Sequence, residues 1–239
     1  MHDELPREEV VDVLDRVIDE LLDAAGVVQP PVDVIALAQT HLKMVVCLDR
    51  RQQTRGRAQR ASGGQLICLR PEPTEERHQW TVAHEIGEHW KADLLARLGI
   101  DPEGTGPMAG ESLANLFAYR LLAPSRWFAA DAPACDYDLL QLKARYRTAS
   151  HEVLAWRLLD LPAPCIITIV DNERVYRRRS NGIRVTRRLG RAEEDCLRRV
   201  HEHGRPVTVR HEPWTVQGWP VHRPDWKREV LRAVFDGDD

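Results

Sequence analysis

The sequence lacks the long apolar run that a membrane-spanning helix requires. No stretch approaches the roughly 18 consecutive apolar residues of such a helix, and the first residues are acidic and contain no apolar signal-peptide core. The five cysteines are odd in number and widely spaced, and none forms a Cys-x-x-Cys pair. A disulfide framework and a thiolate zinc knuckle are therefore not expected. These absences predict a cytoplasmic protein without membrane association.

The chain also lacks a strong net charge that would attract nucleic acid as a whole. Lys and Arg number 34 and Asp and Glu 37, which gives a formal net charge of -3. The distribution is uneven, because residues 174–191 contain eight Arg and no acid. We interpret this Arg-rich stretch, which includes Arg177, Arg178 and Arg179, as a solvated strand face. The alternative is a docking patch for an acidic partner or a phosphate backbone.

Residue types that bind metal are concentrated in one helical segment. His84-Glu85 is followed by Glu88-His89 in a segment that is otherwise apolar and helical in pattern. In a His-Glu-x-x-His motif, two histidines four residues apart bind zinc from one face of a helix, and the Glu activates the bound water. We therefore predict a Zn²⁺ site with His84 as a ligand and Glu85 as the catalytic base. The alternative is an exposed amphipathic helix with scattered charges.

The second histidine of this segment comes one residue later than the motif requires. A regular helix turns about 100° per residue, so His89 would lie about 140° away from the face of His84. Glu88, four residues after His84, could be the second ligand. Alternatively, a π-bulge could bring His89 into line with His84. We favour the bulge with His89 as the ligand, because imidazole suits a reactive zinc site better than a further carboxylate.

A second helical stretch, residues 111–124, is almost entirely apolar and predicts a core helix. Glu111 and Asn115 are one turn apart on the same face of this helix. We interpret Glu111 as the third metal ligand, facing His84, with Asn115 in a supporting position. Alternatively, Glu111 is a surface acid that complements the helix dipole. Tyr119 is interpreted as a core residue rather than a catalytic one.

The remaining pattern predicts an α+β protein in two parts. The first part has helices at 6–25, 34–42, 137–149 and 151–159, strands at 44–48 and 65–69, and a polar hairpin tip or mobile loop at 50–64. The second part begins after Pro162 and Pro164. It has strands at 165–170, 175–179, 183–186 and within 206–221, a turn at Asn181-Gly182, a helix at 192–203, and a last amphipathic helix around residues 226–235.

Four histidines of the second part, His201, His203, His211 and His222, lack paired metal-ligand spacing on an apolar helix. We expect them to be ordinary surface or core residues.

These features, taken in order, resemble the ImmA/IrrE family of metallopeptidases. The resemblance depends on the acidic first helix, the Pro-Val-Asp-Val-Ile-Ala-Leu-Ala segment and the strand pair. It also depends on His84-Glu85, the Glu111-x-x-x-Asn115-x-Phe-Ala helix, and a late Ser-x₆-Arg-Leu sequence that begins at Ser150. It covers roughly residues 5–161, and nothing recognisable covers residues 163–239.

The resemblance implies a mostly helical, zincin-like core with a small β-sheet at 1–161. The pattern of strands and helices, and not the resemblance, predicts a small α+β module at 163–239. It implies zinc dependence, with His84 as the first ligand, Glu85 as the general base and Glu111 as the downstream ligand. The family's second histidine position holds Glu88. The dipeptidyl peptidase III family, whose zinc motif also spaces its histidines by five, is a precedent for His89.

Several members of the resembled family cut helix-turn-helix repressors and so act as transcriptional switches in stress responses or mobile elements. The implied partner is therefore a protein substrate, for example a DNA-binding repressor. One alternative function is a catalytically weak or inactive regulator that binds a partner through residues 163–239. Another is nucleic-acid binding through the Arg-rich stretch, although the sequence has no helix-turn-helix or aromatic-interleaved basic motif.

Overall fold

The computed structural model describes residues 7–61, 64–101, 107–186 and 188–237. Within these ranges it leaves out the side chains of residues 7, 60, 61, 64 and 107–111. The helices are α1 (Arg7–Ala24), α2 (Val34–Thr40), α3 (Glu75–His89), α4 (Lys91–Arg97), α5 (Pro107–Leu122), α6 (Ser125–Ala134), α7 (Leu139–Arg145), α8 (His151–Arg157) and α9 (Arg191–His203). The strands are β1 (Val45–Leu48), β2 (Gly56–Ala61), β3 (Gly64–Leu69), β4 (Ile166–Asp171), β5 (Arg174–Ser180), β6 (Val207–His211), β7 (Trp214–Pro220) and β8 (Arg228–Phe235). The predicted α+β class is confirmed.

The chain forms two compact units. The first comprises residues 1–134 and 143–150, and the second comprises residues 135–142 and 151–239. The division predicted from the sequence, a peptidase domain at 1–161 and a module at 163–239, stays a prediction. None of the described helices is both long enough and apolar enough to cross a membrane.

Packed helices dominate the first unit. Helix α1, predicted at 6–25, buries apolar residues, with Leu14 and Leu22 fully inaccessible to solvent, and α1 packs against α5. Arg120 of α5 is 2% exposed and donates a hydrogen bond of 2.6 Å to Asp15 of α1. This ion pair fixes α5 against α1 in an otherwise apolar contact.

A small sheet with strand order β1-β3-β2 completes the first unit. β1 runs parallel to β3, and β2 runs antiparallel to β3. The strands predicted at 44–48 and 65–69 correspond to β1 and β3. The polar segment at 50–64, predicted to be a hairpin tip or mobile loop, contains strand β2, which was not predicted. Since β2 is an edge strand of Gly, Ala and polar residues, it has no apolar alternation that could have indicated a strand.

The second unit contains an antiparallel sheet with order β5-β4-β8-β7-β6 among the described strands. Helix α9 packs on β6, β7 and β8. Buried apolar residues fill the space between the helix and the sheet, among them Cys196, Val200, Val216 and Leu231.

Two predictions for the second unit were wrong. Residues 228–235 form β8, not an amphipathic helix, and β8 lies between β4 and β7. Residues 183–186 are not a strand, so the predicted turn at Asn181 and Gly182 does not connect two strands. The first hairpin of the sheet turns at Asn172 and Glu173, both with positive φ (46° and 65°). Asn181 instead anchors the loop, because its side chain accepts a hydrogen bond from the backbone N–H of Cys165 (2.8 Å) and donates one to Leu161 O (2.7 Å).

Candidate metal and catalytic site

Helix α3 positions the His-Glu segment. The helix is described throughout its length, is α-helical from Glu75 to His89, and contains no π-bulge. The backbone N–H of Trp90 still donates to Ile86 O at 3.0 Å, which is regular α-helical bonding. The predicted bulge was therefore wrong, because the last turn of the helix keeps its normal hydrogen bonds.

The regular helix separates the two histidines. His84 and Glu88 are half-buried and one turn apart on the same face, whereas His89 is exposed. The ligand set of His84, His89 and Glu111 stays a prediction, and this geometry favours the alternative ligand, Glu88. Imidazole and carboxylate are both donors that zinc accepts, so the residues available on α3 fit the ion chemically.

Glu85 is held by the edge of the small sheet. Its Oε2 atom accepts a hydrogen bond of 2.9 Å from the backbone N–H of Ala58 on β2. Ala58 pairs with Ile67 in the antiparallel ladder, yet its N–H points away from β3. The predicted base therefore has its carboxylate oriented by a backbone group of the edge strand.

Glycine at residue 56 permits this close approach of α3 and β2. A Cβ atom at Gly56 would lie 2.3 Å from Cγ2 of Thr81 and 3.0 Å from Oε1 of Glu85. Any side chain at this position would push the edge strand away from the helix. Gly56 is thus a requirement for the Ala58–Glu85 hydrogen bond.

Helices α3 and α5 run antiparallel in direct contact. The Trp80 and Tyr119 rings are 4.5 Å apart, and a Cβ atom at Gly87 would lie 3.0 Å from Cα of Ala114. Tyr119 thus packs against Trp80 between the two helices and is half-buried.

The same register places the backbone of Glu111, three residues before Ala114, beside the last turn of α3. The Glu111 side chain lies outside the described residues. Asn115, one turn further along α5, is half-buried. The structure therefore brings together the two helices that carry the predicted ligands.

The Arg-rich stretch lies in the second unit, on β5. Arg178 is turned inward, with a side chain 8% exposed, and forms a bidentate ion pair with Glu193 of α9. Arg178 is therefore engaged within the second unit, whereas Arg177 and Arg179 are exposed. The alternative of a docking patch that includes all three arginines stays a prediction.

The second unit also brings together a group of potential ligands that the sequence analysis missed. Among the described residues, His201, His222 and Glu229 place their ligand atoms within 4.8 Å of one another. They come from α9, the β7–β8 connection and β8. No sequence pattern indicates such a group, because its members are widely separated in the sequence. In addition, Glu229 was wrongly assigned to a helix.

Comparison with known proteins identifies the family and supports the fold. The family model described as the IrrE N-terminal-like domain, Peptidase_M78, matches residues 39–159. Among solved structures, a Mycobacterium tuberculosis transcriptional regulator is similar, with a TM-score of 0.69 and 19% sequence identity over 95% of this chain and 80% of that chain. At this identity the likeness concerns the fold alone. No curated protein matches the chain. The family match covers half of the sequence and includes α3 and α5, so the chain belongs to the IrrE N-terminal-like (Peptidase_M78) family, with a metallopeptidase-like or regulatory role.

Proposed function

We propose that the protein is a zinc-dependent metallo-endopeptidase that cleaves a regulatory protein, such as a helix-turn-helix repressor, in the cytoplasm. The observation that carries this proposal is the placement of Glu85. It follows a half-buried histidine on α3, and the backbone of an edge strand orients its carboxylate. This is the arrangement that a general base for peptide hydrolysis needs.

The chemistry assigned to this chain is a proton transfer at Glu85. A bound Zn²⁺ supplies Lewis acidity that polarises a carbonyl group and makes a water molecule more acidic. Glu85 takes the proton of the attacking water and passes it to the leaving amine. The hydrogen bond from Ala58 keeps the carboxylate in one orientation, so less ordering is required when substrate binds.

The substrate would bind as an extended peptide along β2, which is at the edge of its sheet. The outward N–H of Ala58 already donates to Glu85, so the peptide would pair with other outward backbone groups of this strand. Because Ala58 lies on β2 and contacts Glu85 directly, a peptide paired with this edge would pass next to the base.

The proposed ligands are His84, Glu111 and either His89 or Glu88. Zinc content of His84→Ala, Glu88→Ala and His89→Ala, measured in parallel, separates the two options. Because Glu88 shares a face with His84, we expect Glu88→Ala to lose more metal than His89→Ala. The opposite result would require the last turn of α3 to rearrange when metal binds.

Glu85→Gln is the experiment that tests the peptidase. The amide oxygen of Gln can still accept the hydrogen bond from Ala58, but the side chain cannot accept a proton from water. The zinc-loaded full chain is incubated with a peptide library made from a bacterial proteome, and new amino termini are identified by mass spectrometry. We expect the wild type to produce a defined set of cuts and Glu85→Gln to produce none while it keeps its zinc.

Glu75→Gln is the matched control, because Glu75 is an exposed carboxylate in the first turn of the same helix. It should cut as the wild type does. Cuts that persist in Glu85→Gln, or that disappear equally in Glu75→Gln, would contradict the assigned role of Glu85.

The second candidate function is a regulator that acts by binding and not by cleavage. The regular geometry of α3 favours it, since His89 is exposed and the face of His84 continues with a carboxylate. In that case Glu85→Gln would leave the regulatory phenotype unchanged. We propose a protein as the partner and not nucleic acid, because Arg178 is engaged with Glu193.

A further inference from the structure

The second unit contains a buried carboxylate that contacts two histidines through one of its oxygens. Glu229, at the start of β8, is completely inaccessible to solvent. Its Oε1 atom lies 2.9 Å from Nδ1 of His201 and 2.7 Å from Nε2 of His222. Its Oε2 atom is buried and has no hydrogen-bond partner among the described residues. A buried ionised carboxylate is costly unless it is paired or coordinates a metal.

The cationic side chains near Glu229 on β8 are engaged elsewhere. Arg228 bonds both carboxylate oxygens of Asp171 at 2.6 and 2.7 Å, and Arg232 donates to Gln217 at 2.9 Å. Among the described residues, the histidines are the ion-pair partners of Glu229. Both imidazoles contact the same oxygen, Oε1, and the buried Oε2 atom of Glu229 receives no hydrogen bond from the described residues.

We propose that His201, His222 and Glu229 form a site for a divalent transition-metal ion of the Zn²⁺ class. The site is separate from the His84-Glu85 site, and the proposal does not depend on peptidase activity. Two imidazole nitrogens and a carboxylate oxygen are donors that Zn²⁺, Ni²⁺ and Cu²⁺ accept. The ion would neutralise the buried charge and occupy the place that the histidine protons fill in the hydrogen-bonded arrangement.

The three ligand atoms lie within 4.8 Å of one another, and the two nitrogen–oxygen distances require only small adjustments to admit an ion. Ligand atoms around a tetrahedral Zn²⁺ lie about 3.3 Å apart, given bonds of about 2.0–2.1 Å. The nitrogen–oxygen distances of 2.9 and 2.7 Å must therefore open by about half an ångström. The two histidine side chains are 25% and 21% exposed, which leaves them room to rotate and gives an ion access from solvent.

Each ligand is held by local structure. His201 is in the last turn of α9, which ends at Gly204 in the left-handed conformation (φ 58°). His222 lies between two backbone hydrogen bonds of the β7–β8 connection, from Val221 N–H to Arg228 O (2.7 Å) and from Arg223 N–H to Trp226 O (2.8 Å). An ion at this point would connect the end of α9 to the sheet.

A second carboxylate, that of Glu173, lies close to the other ring nitrogen of His201. The Oε1 atom of Glu173, in the β4–β5 turn, is 4.0 Å from Nε2 of His201, on the side of the ring opposite to Glu229. Metal-bound histidines usually donate their other ring N–H to a carboxylate, which fixes the orientation of the ring. A small movement of the exposed Glu173 side chain would complete this interaction.

Metal content of the full chain tests the proposal in a His84→Ala background, which removes the α3 site. The protein is stripped with a chelator and dialysed against Zn²⁺, and bound metal is measured by mass spectrometry. We expect about one zinc per chain, which His222→Gln or His201→Gln should abolish. Gln keeps an N–H donor for Glu229 and is a poor zinc ligand, so both variants should fold, as circular dichroism would verify.

His203→Gln is the matched control, since His203 is an exposed histidine two residues from His201 on the same helix. It should bind zinc as its parent does. Zinc absent from the His84→Ala protein, or retained in full by His222→Gln and His201→Gln, would overturn the site.

A measurement on the wild-type protein avoids any question of folding. Diethylpyrocarbonate modifies accessible histidines, and the modified residues can be identified by mass spectrometry. Zn²⁺ should protect His201 and His222 and leave His203 reactive. Equal modification of His201 and His222 with and without Zn²⁺ would count against the proposal.

Discussion

Gly56→Ala is expected to destabilise the first unit by about 1–2 kcal/mol. The added methyl group would be placed 2.3 Å from Cγ2 of Thr81. Thr81 cannot rotate away at no cost, because its hydroxyl donates to Arg77 O at 2.8 Å, a bond worth about 1 kcal/mol. Overpacking costs about 1–3 kcal/mol. Replacing Gly with Ala also lowers the conformational entropy of the unfolded chain, which stabilises the folded state by only about 0.4–1 kcal/mol. The steric cost is therefore larger than this gain.

Thr81→Ser is the partner that tests this reasoning. It deletes the methyl group that the new Cβ would strike and keeps the hydroxyl bonded to Arg77. Alone it should cost about 1 kcal/mol for one buried methyl group. In the double variant the new methyl group occupies the vacated space, so Gly56→Ala should add almost nothing to the cost of Thr81→Ser, which gives a favourable coupling of about 1–2 kcal/mol.

Urea unfolding of the four proteins, followed by circular dichroism at pH 7, measures this coupling. If the two single effects simply add in the double variant, the α3–β2 contact is not the source of the destabilisation. The reasoning would then be refuted, together with the role given to Gly56 in positioning Glu85.

Three further results are expected. Arg178→Met should cost about 3–5 kcal/mol in urea unfolding, because it leaves the buried Glu193 without its partner, whereas Arg177→Met at an exposed position should stay within about 0.5 kcal/mol. Burial raises the pKa of Cys196 to about 12. Iodoacetamide at pH 8 should therefore label Cys196 only after unfolding. The stability that the buried Cys196 thiol contributes should be fully present below about pH 8.5 and should decline as the pH rises towards 12. Burial would raise the pKa of Glu72, but hydrogen bonds and charges from two flanking arginines outweigh it and lower that pKa. Its contribution is then present above about pH 4.3 and lost on acidification, so Glu72→Gln should lose less stability than the wild type between pH 7 and pH 3.

The helices that carry the site could be predicted because apolar residues recur at helical spacing in their sequences. Val82 and Ile86 on α3 and the apolar residues of α5 mark buried faces, and both faces are buried in the structure. The close contact of Gly87 with Ala114 could not be predicted, since it depends on which helices pack together. The spacing of His84 and His89 was correctly identified as unusual. We nevertheless favoured a π-bulge over a regular helix, because the zinc motif places both histidines on one face of the helix.

Strands were predicted less well because pairing decides them. In β8, five consecutive residues from Glu229 to Ala233 are buried. Apolar and polar residues therefore do not alternate along the segment, and its pattern fits a helix equally well. β2 has the opposite difficulty, because its residues are small or polar and its strand conformation depends on pairing with β3. Both errors arise from contacts between residues distant in sequence.

The His201, His222 and Glu229 group shows the same dependence on long-range contacts. Sequence spacing can indicate ligands that lie on one helix, such as His84 and Glu88. It cannot indicate ligands that meet only when a helix, a loop and a strand are assembled. We expected these histidines to be ordinary residues because no other ligand type is nearby in the sequence. In the folded structure His201 and His222 lie next to Glu229.

The hydrogen bonds of Gln79 bear on how the protein should be truncated. This α3 residue is 1% exposed, and its Oε1 atom accepts from the backbone N–H groups of Val34 and Ile35 at 2.7 and 3.3 Å, while its Nε2 atom donates to Asp33 at 2.9 Å. The family match begins only at residue 39. An expression fragment that begins at that boundary would leave the buried Gln79 amide without these partners, five residues before His84. Fragments of this protein should therefore begin upstream of Asp33.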